Sequence, residues 1–140
     1  MSYLLDTNVV SEFRRPALEP RVAAWRESVA SEELFISVLV LGEIRRGIER
    51  LRKRGDEVQA MMFERWLTET RTLFAERVLA VDGAIAEVWG RIDAASPTPA
   101  EDGLMAATAI VHDLTFVTRN VKHVAHTPVR LLNPWDAPPV

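Results

Sequence analysis

The sequence predicts an α/β fold with a mostly parallel sheet of about five strands. Short apolar runs rich in strand-forming residues alternate with longer stretches of helical periodicity, which is the pattern of such a sheet. No Gly/Ser linker, repeat or low-complexity tract divides the 140 residues. We therefore expect a single domain over residues 1–140.

The N-terminal part predicts one strand and two helices. The apolar run Tyr3–Leu5 ends at Asp6, and a short helix follows at about residues 9–14 before a proline interrupts it. Pro20 then begins a helix that extends to about Ser31, because the N–H group that proline lacks is not used in the first turn.

The middle of the chain predicts two strands and two long helices. Residues 34–36 form the second strand, and Ser37 is a candidate N-cap for the helix after it. That helix carries apolar residues at spacings of three and four, namely Val38, Leu41, Ile44, Ile48 and Leu51. Gly55-Asp56 ends it, a second helix spans about residues 57–74, and a third strand follows at residues 77–81.

The C-terminal part predicts two helices and two strands. Asp82-Gly83 begins a helix with Ile85, Val88, Trp89 and Ile92 on its apolar face. Thr98-Pro99-Ala100-Glu101 has the pattern of a capping box with proline at the first helical position, and the helix extends to about His112. Strands follow at residues 115–117 and 129–132, and Asn133-Pro134-Trp135 closes the fold before a proline-rich tail.

Composition narrows the possible functions. A net charge of −3 argues against a protein that coats nucleic acid non-specifically, but it allows a nuclease with a local basic face. The chain has no cysteine, which excludes disulfides, thiolate metal sites and a cysteine nucleophile. Because no apolar run approaches the length of a membrane span and no signal-peptide pattern is present, we expect a cytoplasmic protein without membrane association.

Polar residues follow three of the predicted strands, where α/β proteins bind their ligands. Asp6 ends the first strand, Asp82 ends the third, and Asn120 follows the fourth within Thr118-Arg119-Asn120. Each also has a structural explanation. Asp6 could cap the next helix, Asp82 is favoured as an N-cap, and Asn120 could be an ordinary loop residue.

Two further acids lie on predicted helices. Asp102 lies in a first helical turn, where the helix dipole favours its charge, and Ala106 and Ala109 continue its face. Glu43 borders an apolar stripe between Val40 and Gly47, small neighbours that would let another element approach closely. Taken singly, Asp102 could serve only the helix dipole and Glu43 could be a border residue.

Together, Asp6, Glu43, Asp102 and Asn120 form an oxygen-rich set drawn from distant parts of the chain. Such ligands suit a hard cation such as Mg²⁺, which is held by one or two carboxylates, water and substrate phosphate. The three histidines show no zinc-ligand pattern. The sequence therefore predicts a magnesium-type site for phosphodiester chemistry.

The residues that carry this prediction resemble those of PIN domains, most closely toxins of the VapC and FitB type. The resemblance covers essentially the whole chain and rests on Leu5-Asp6-Thr7-Asn8-Val9-Val10-Ser11, the Glu43 helix, the segment 101–109, Val117-Thr118-Arg119-Asn120 and Asn133-Pro134-Trp135. It implies a three-layer fold and Mg²⁺- or Mn²⁺-dependent cleavage of single-stranded RNA.

The resemblance also implies residue roles. Asp6, Glu43 and Asp102 correspond to the acidic site, with Asp6 and Asp102 as the main metal ligands. Many members have a fourth acid where this chain has Asn120, which contributes no negative charge. We expect Thr7, Asn8 and Thr118 to hold the metal-binding carboxylates in position by hydrogen bonds.

The resemblance further implies partners. They are an antitoxin protein that blocks the site, a second copy of the chain in a homodimer or in a hetero-oligomer with the antitoxin, and DNA reached indirectly through the antitoxin. The apolar residues Met61, Met62, Phe63 and Trp66 either form a groove for the antitoxin or belong to the core.

Cations near the site are candidates for RNA contact. Arg119 follows the fourth strand, and six cations crowd the helix after Ser37 and its end, namely Arg45, Arg46, Arg50, Arg52, Lys53 and Arg54. For that stretch, a solvated helix face with cations near its C-terminus is slightly favoured over RNA contact. Contact with an acidic partner is a third explanation.

Two other functions fit parts of the sequence. An aspartate-based phosphotransferase of the haloacid-dehalogenase or response-regulator type also has an aspartate after its first strand. However, the former expects a second aspartate at position 8, and only Lys122 is available as the lysine that both expect. A non-enzymatic PIN-like module that binds RNA or protein is the other alternative, and Asn120 is its support.

Overall fold

In a computed structural model, which describes residues 1–136, the strands form a single parallel sheet. The strands are β1 (Tyr3–Leu5), β2 (Leu34–Ser37), β3 (Val78–Leu79), β4 (Thr115–Val117) and β5 (Leu131–Leu132). Their order across the sheet is β3-β2-β1-β4-β5. The predicted α/β class and the count of about five strands are confirmed.

Six α-helices flank the sheet. They are α1 (Thr7–Phe13), α2 (Pro20–Glu27), α3 (Val38–Lys53), α4 (Glu57–Leu73), α5 (Gly83–Ala95) and α6 (Ala100–Val111). Short 3₁₀ turns lie at Ser31–Glu33, Ala75–Arg77 and Val121–His123. The predicted proline-rich tail lies outside the described residues.

The chain begins at the centre of the sheet. It adds β2 and β3 on one side, then crosses back to add β4 and β5 on the other side of β1. The connections that follow β1 and β4 therefore lead to opposite sides of the sheet. An open α/β sheet binds its ligand beside the ends of two such neighbouring strands.

The central strands are buried on both faces. Leu4, Leu5, Phe116 and Val117 are at most 1% exposed, which explains why β1 and β4 are continuous apolar runs rather than alternating ones. A smaller apolar cluster lies between α5 and α6, where Ile85, Ile92 and Ala107 are buried. The sheet and both helical layers therefore share a core that holds the strand ends in place.

Several predicted helix starts are confirmed. Ser37 caps α3 by accepting a hydrogen bond from the Leu39 N–H, and Asp82 caps α5 by accepting one from the Ile85 N–H. Pro20 begins α2, with the Glu19 carboxylate as its cap.

Helix α2 is shorter than predicted. It ends at Glu27 rather than near Ser31, because the Ser28 hydroxyl donates to the Trp25 carbonyl at 2.6 Å and a 3₁₀ turn begins at Ser31.

The predicted capping box at the start of α6 is wrong. Pro99 is the N-cap, one residue later than predicted, and no side chain caps the helix. The Glu101 carboxylate, which the pattern requires, instead accepts both guanidinium prongs of Arg46 at 2.8 and 3.4 Å. The Thr98 N–H donates to Asp93 Oδ1, and the Thr98 hydroxyl has no partner within residues 1–136.

Among residues 1–136, no helix combines the length and the apolar character needed to cross a membrane.

Candidate active site

Three carboxylates meet at the edge of the sheet where the strands end. Asp6 follows β1, the central strand, and Glu43 lies in the second turn of α3, which begins directly after β2. Asp102 lies in the first turn of α6, which runs back along the sheet into β4. Because β2, β1 and β4 are neighbours, side chains as far apart in the sequence as Asp6 and Asp102 come together at one place.

Asp6 is the most constrained of the three. It is 5% exposed, and its Oδ1 accepts the Thr7 N–H at 2.7 Å, which also caps α1. Its Oδ2 accepts the Thr118 hydroxyl at 2.7 Å and the Asn8 side-chain amide at 3.3 Å. Since an ionised carboxylate has roughly four acceptor positions, one position on Oδ1 is left for another ligand.

The surroundings of Asp6 oppose its charge. Burial raises the pKa of Asp6, and the nearby charge of Asp102 raises it further. The hydrogen bonds from Thr118 and Thr7 and the nearby His123 act in the opposite direction, but burial prevails. A cation placed beside Asp6 would relieve this penalty.

Glu43 is held in a similar environment. Burial raises its pKa to about 7, and the charges of Asp6 and Glu101 add to the rise while Arg46 opposes it. Its carboxylate accepts no hydrogen bond within residues 1–136. The nearby Thr7 hydroxyl also lowers the pKa of Glu43. The Thr7 Oγ1 atom is buried, and it makes no hydrogen bond of ordinary geometry to any described group. An unpaired carboxylate beside an unpaired hydroxyl leaves polar atoms available for water, substrate or an ion.

Asp102 has a partner that the sequence did not reveal. His123 Nδ1 lies 2.8 Å from Asp102 Oδ2, and the ring N–H donates because an ionised carboxylate only accepts. From the sequence, the histidines are weighed only as zinc ligands. The position of His123 could have indicated its place at the site, since it lies three residues after Asn120 in the segment that follows β4.

Asn120 contributes its backbone rather than its amide. Its N–H donates to the Thr118 hydroxyl at 3.0 Å, and its exposed side chain makes no hydrogen bond within the described part of the chain. Asn8 Oδ1 accepts the Arg119 N–H at 3.3 Å. Thr118 and Asn8 therefore both connect Asp6 to the segment after β4.

The other predicted residues lie outside this group or at its border. Asp82 is exposed and caps α5. Arg46 borders Glu43 and pairs with Glu101, and Arg45 pairs with Glu64 on α4. The Arg119 guanidinium lies 4.9 Å from the centre of the Trp135 ring.

The sequence predicts that another element approaches the face of α3 beside Glu43, and this prediction is wrong at Gly47. A side-chain carbon built on Gly47 would meet nothing within 4 Å. Val40 instead points into the core and is fully buried. Glu43 therefore lies at an open border of α3, and the space above Gly47 is solvent.

The apolar residues of α4 divide into two sets. Met61 and Met62 are 63% and 60% exposed. Phe63 and Trp66 are partly buried against the core and pack edge to face, and the Arg14 guanidinium lies over both rings. A groove of about 180 Å³ lies beside Trp66, between α1 and the end of α4.

The donor set fits a hydrated divalent cation rather than a closed metal cage. Within residues 1–136, no three His, Cys, Asp or Glu side chains converge closely enough to surround one ion. Mg²⁺ requires less, because one or two carboxylates hold it while water and phosphate complete its shell. Asp6 Oδ1, Asp102 Oδ1 and the Glu43 carboxylate have acceptor positions left and are the candidate ligands.

Comparison with known proteins gives a consistent family. Residues 3–127 match the PIN domain family model. The chain is 35% identical over 137 residues to Toxin FitB of Neisseria gonorrhoeae, covering 94% of this chain and 97% of that protein. It is 32% identical over 141 residues to the plasmid stability protein StbB of Pseudomonas syringae pv. tomato, covering 96% and 99% of the two chains.

Solved structures agree with the fold. A chain in the crystal structure of FitAcB from Neisseria gonorrhoeae superposes with a TM-score of 0.83 at 33% identity, covering 96% of this chain and 99% of that one. A toxin–antitoxin complex from Klebsiella pneumoniae gives a TM-score of 0.68 at 22% identity over 97% of this chain and 100% of that one, which supports the fold alone. The chain belongs to the PIN domain family.

Proposed function

We propose that this PIN-domain chain is an endoribonuclease that hydrolyses phosphodiester bonds in single-stranded RNA with Mg²⁺ or Mn²⁺. The observation that carries the proposal is the cluster of Asp6, Glu43 and Asp102 at the carboxyl end of the sheet, where the pKa values of Asp6 and Glu43 are raised. Relatives named as ribonucleases support it, such as VapC ribonuclease Y4jK of Sinorhizobium fredii, which is 27% identical over 138 residues and covers 95% of this chain and 97% of that protein.

Asp6 and Asp102 would hold the metal ion. When bound, the ion polarises the scissile phosphate and lowers the pKa of bound water. Asp6 would use Oδ1, the oxygen with a position left, and Asp102 would use Oδ1, since its Oδ2 lies 2.8 Å from His123 Nδ1. These oxygens belong to side chains fixed by other hydrogen bonds, so the site is organised before the substrate arrives.

Glu43 would orient the attacking water and accept its proton. A general base works best when its pKa lies near the operating pH, and in the metal-free chain the pKa of Glu43 is raised to about 7. A bound cation would lower this pKa and favour the carboxylate form that accepts the proton. Because the Asn120 side chain is neutral, it would add no negative charge to the site.

We also propose that the chain is the toxin of a toxin–antitoxin pair. One relative is named Toxin FitB, and one solved neighbour is a structure of FitAB bound to a DNA fragment. The partner would be a small antitoxin protein, through which DNA would be reached indirectly, and the chain would also pair with a second copy of itself.

The test is cleavage of RNA by purified, antitoxin-free protein. We expect cleavage with Mg²⁺ or Mn²⁺ and none after the metal is chelated. Asp6→Asn should abolish it while circular dichroism shows an unchanged fold, because the substitution removes the charge and keeps the shape. Asp113→Asn is the matched control, since Asp113 is exposed and precedes β4 at the opposite edge of the sheet.

Two results would contradict the proposal. One is full cleavage by Asp6→Asn with Mg²⁺ present, and the other is no cleavage by the wild type with either metal. The second result together with undetectable metal binding would favour the non-enzymatic binding module. For the toxin role, induced expression should arrest growth in the wild type and not in Asp6→Asn, and equal growth of the two would contradict it.

A further inference from the structure

We propose that the segment Arg119–His123, which follows β4, binds the phosphates of the RNA strand next to the scissile one. This inference rests on the proposed ribonuclease function and identifies the surface that holds its substrate. It places the main phosphate-binding surface here rather than on the basic stretch of α3, which the sequence offers as a candidate while favouring a solvated helix face.

The acidic site creates the need for such a surface. Asp6, Glu43, Asp102 and Glu101 lie together, and Arg46, the cation beside them on α3, is already paired with Glu101. A phosphate chain that approaches these acids is repelled unless cations lie along its path. One bound metal ion compensates the charge only at its own position, so the flanking phosphates require cations from the protein.

Most cations of α3 are poorly placed for this task. The exception is Arg50, which makes no ion pair within residues 1–136 and whose charge acts on Glu101, on the α3 side of the acids. Arg45 and Arg52 share Glu64 of α4, and both also lie within 3.5 Å of Glu49. Lys53 makes no ion pair within residues 1–136, but it lies ten residues after Glu43 on the same helix. At the rise of an α-helix that is a separation of about 15 Å. Much of the positive charge on α3 therefore serves to join α3 to α4.

The segment after β4 is tied directly to the acids. The Arg119 N–H donates to Asn8 Oδ1, and Asn8 in turn donates to Asp6. Farther along the segment, His123 Nδ1 lies 2.8 Å from Asp102. Contacts at both ends hold Arg119–His123 against the site, so its cations keep a fixed position relative to Asp6 and Asp102.

The cations of this segment are available. Arg119 and Lys122 are exposed, and neither forms an ion pair with a carboxylate in the part of the chain that the structure describes. The Arg119 guanidinium is held over the Trp135 ring at 4.9 Å, which orders the side chain without neutralising it. An ordered guanidinium donates to phosphate and also stacks on bases of single-stranded RNA.

Binding of a short fluorescein-labelled single-stranded RNA of mixed sequence tests the proposal. Fluorescence anisotropy would be measured over a range of salt concentrations, with Mg²⁺, in an Asp6→Asn background that keeps the RNA intact. Arg119→Gln and Lys122→Gln should each weaken binding several-fold and lower the slope of log affinity against log salt by about 0.7, the value for one phosphate contact on a single strand. Lys53→Gln, which removes an exposed lysine from the end of α3, should bind as the background does.

The opposite pattern would overturn the proposal. In that case Lys53→Gln weakens binding while Arg119→Gln and Lys122→Gln bind like the background. Cleavage by the same substitutions in the otherwise wild-type chain separates this inference from the proposed function. A raised KM with unchanged kcat for Arg119→Gln and Lys122→Gln supports both. If these variants cleave RNA with an unchanged KM, only the phosphate-binding role of the segment is contradicted. If the variants weaken RNA binding but the wild type shows no cleavage, only the ribonuclease function is contradicted.

Discussion

Asp6 accepts hydrogen bonds from the Thr7 N–H, the Thr118 hydroxyl and the Asn8 amide. These donors come from the start of α1 and from the end of β4, so the carboxylate is fixed from two directions. Thr118 has a second task, because its oxygen also accepts the Asn120 N–H. A single hydroxyl therefore positions both the acid and the segment that follows β4.

Thr118→Val should weaken both metal binding and the fold. Removing the hydroxyl takes one donor from Asp6 and leaves the Asn120 N–H without its acceptor. Groups that orient metal ligands typically change metal affinity by about 10- to 100-fold when they are removed, and a lost buried hydrogen bond costs about 1–3 kcal/mol of stability. Mn²⁺ titration by calorimetry measures the first effect, and chemical denaturation measures the second.

Thr118→Ser is the control, since it keeps the hydroxyl and should bind Mn²⁺ within a few-fold of the wild type. Equal loss of affinity in the serine and valine variants would mean that the methyl group, and not the hydrogen bond, is what Asp6 requires.

Glu43 should make the metal-free protein less stable as the pH rises. In the unfolded chain its pKa is 4.5, and in the folded protein it is about 7. Between these values the folded state binds more protons than the unfolded state, so stability falls with increasing pH. The penalty is absent below about pH 4.5 and complete above about pH 7, and Asp6 adds to it in the same direction because its pKa is also raised.

Thermal melts of metal-free wild type and Glu43→Gln over this pH window provide the measurement. The melting temperature of the wild type should fall relative to that of the variant as the pH rises, and added Mg²⁺ should reduce the difference because a cation favours the ionised form. Parallel curves for the two proteins would show that Glu43 is not held in an unfavourable environment.

Sequence reasoning selected Asp6 and Asp102 as site residues because strand ends and the first turn of a helix are readable positions, and it selected Glu43, in the second turn of α3, only together with them. It did not identify His123, whose contact with Asp102 depends on where a 3₁₀ turn lies in three dimensions. It also assigned Asn120 by its side chain, whereas the structure uses its N–H, which every residue except proline would supply.

At the scale of elements, the start of α6 determines where Asp102 lies. Gly103 faces α5 so closely that a side-chain carbon there would lie 2.4 Å from Thr98 Oγ1 and 3.0 Å from Trp89 Cδ1. Both of these side chains carry a buried polar atom with no partner within residues 1–136. Glycine is therefore needed next to Asp102 for packing, because it lets α6 approach Trp89.

Gly103→Ala should destabilise the protein by about 1–3 kcal/mol, the usual cost of overpacking. Gly90→Ala is a matched control on α5, since a side-chain carbon there meets nothing within 4 Å. It should leave stability unchanged or raise it by up to about 1 kcal/mol through helix propensity. Chemical denaturation of both variants tests this, and a Gly103→Ala protein as stable as Gly90→Ala would contradict the close approach.

The long elements were predictable and the precise ends were not. The stripe from Val38 to Leu51 follows the helical period, and the structure contains that helix as α3. The capping box failed because Glu101 has a stronger competing partner, Arg46, which is 55 positions away in the sequence. Local patterns report what a residue prefers on its own, and a charged neighbour from another helix changes that preference.

At the scale of the whole molecule, the strand order creates the site. Thr118 and Asp6 are 112 positions apart in the sequence, and they are in contact because β4 pairs directly with β1. The sequence predicts parallel strands, since helices alternate with them, but alternation alone does not specify which strands are neighbours. The structure supplies that information, in the order β3-β2-β1-β4-β5.

We propose that Asp6 and Asp102 hold a divalent cation in one site at the end of β1. The most direct measurement is an anomalous diffraction map of crystals of the protein grown with Mn²⁺. We expect one strong peak at coordination distance from oxygens of both Asp6 and Asp102, with Glu43 close to the ion through water. A map without a peak there, or with Mn²⁺ bound only elsewhere, would contradict the claim.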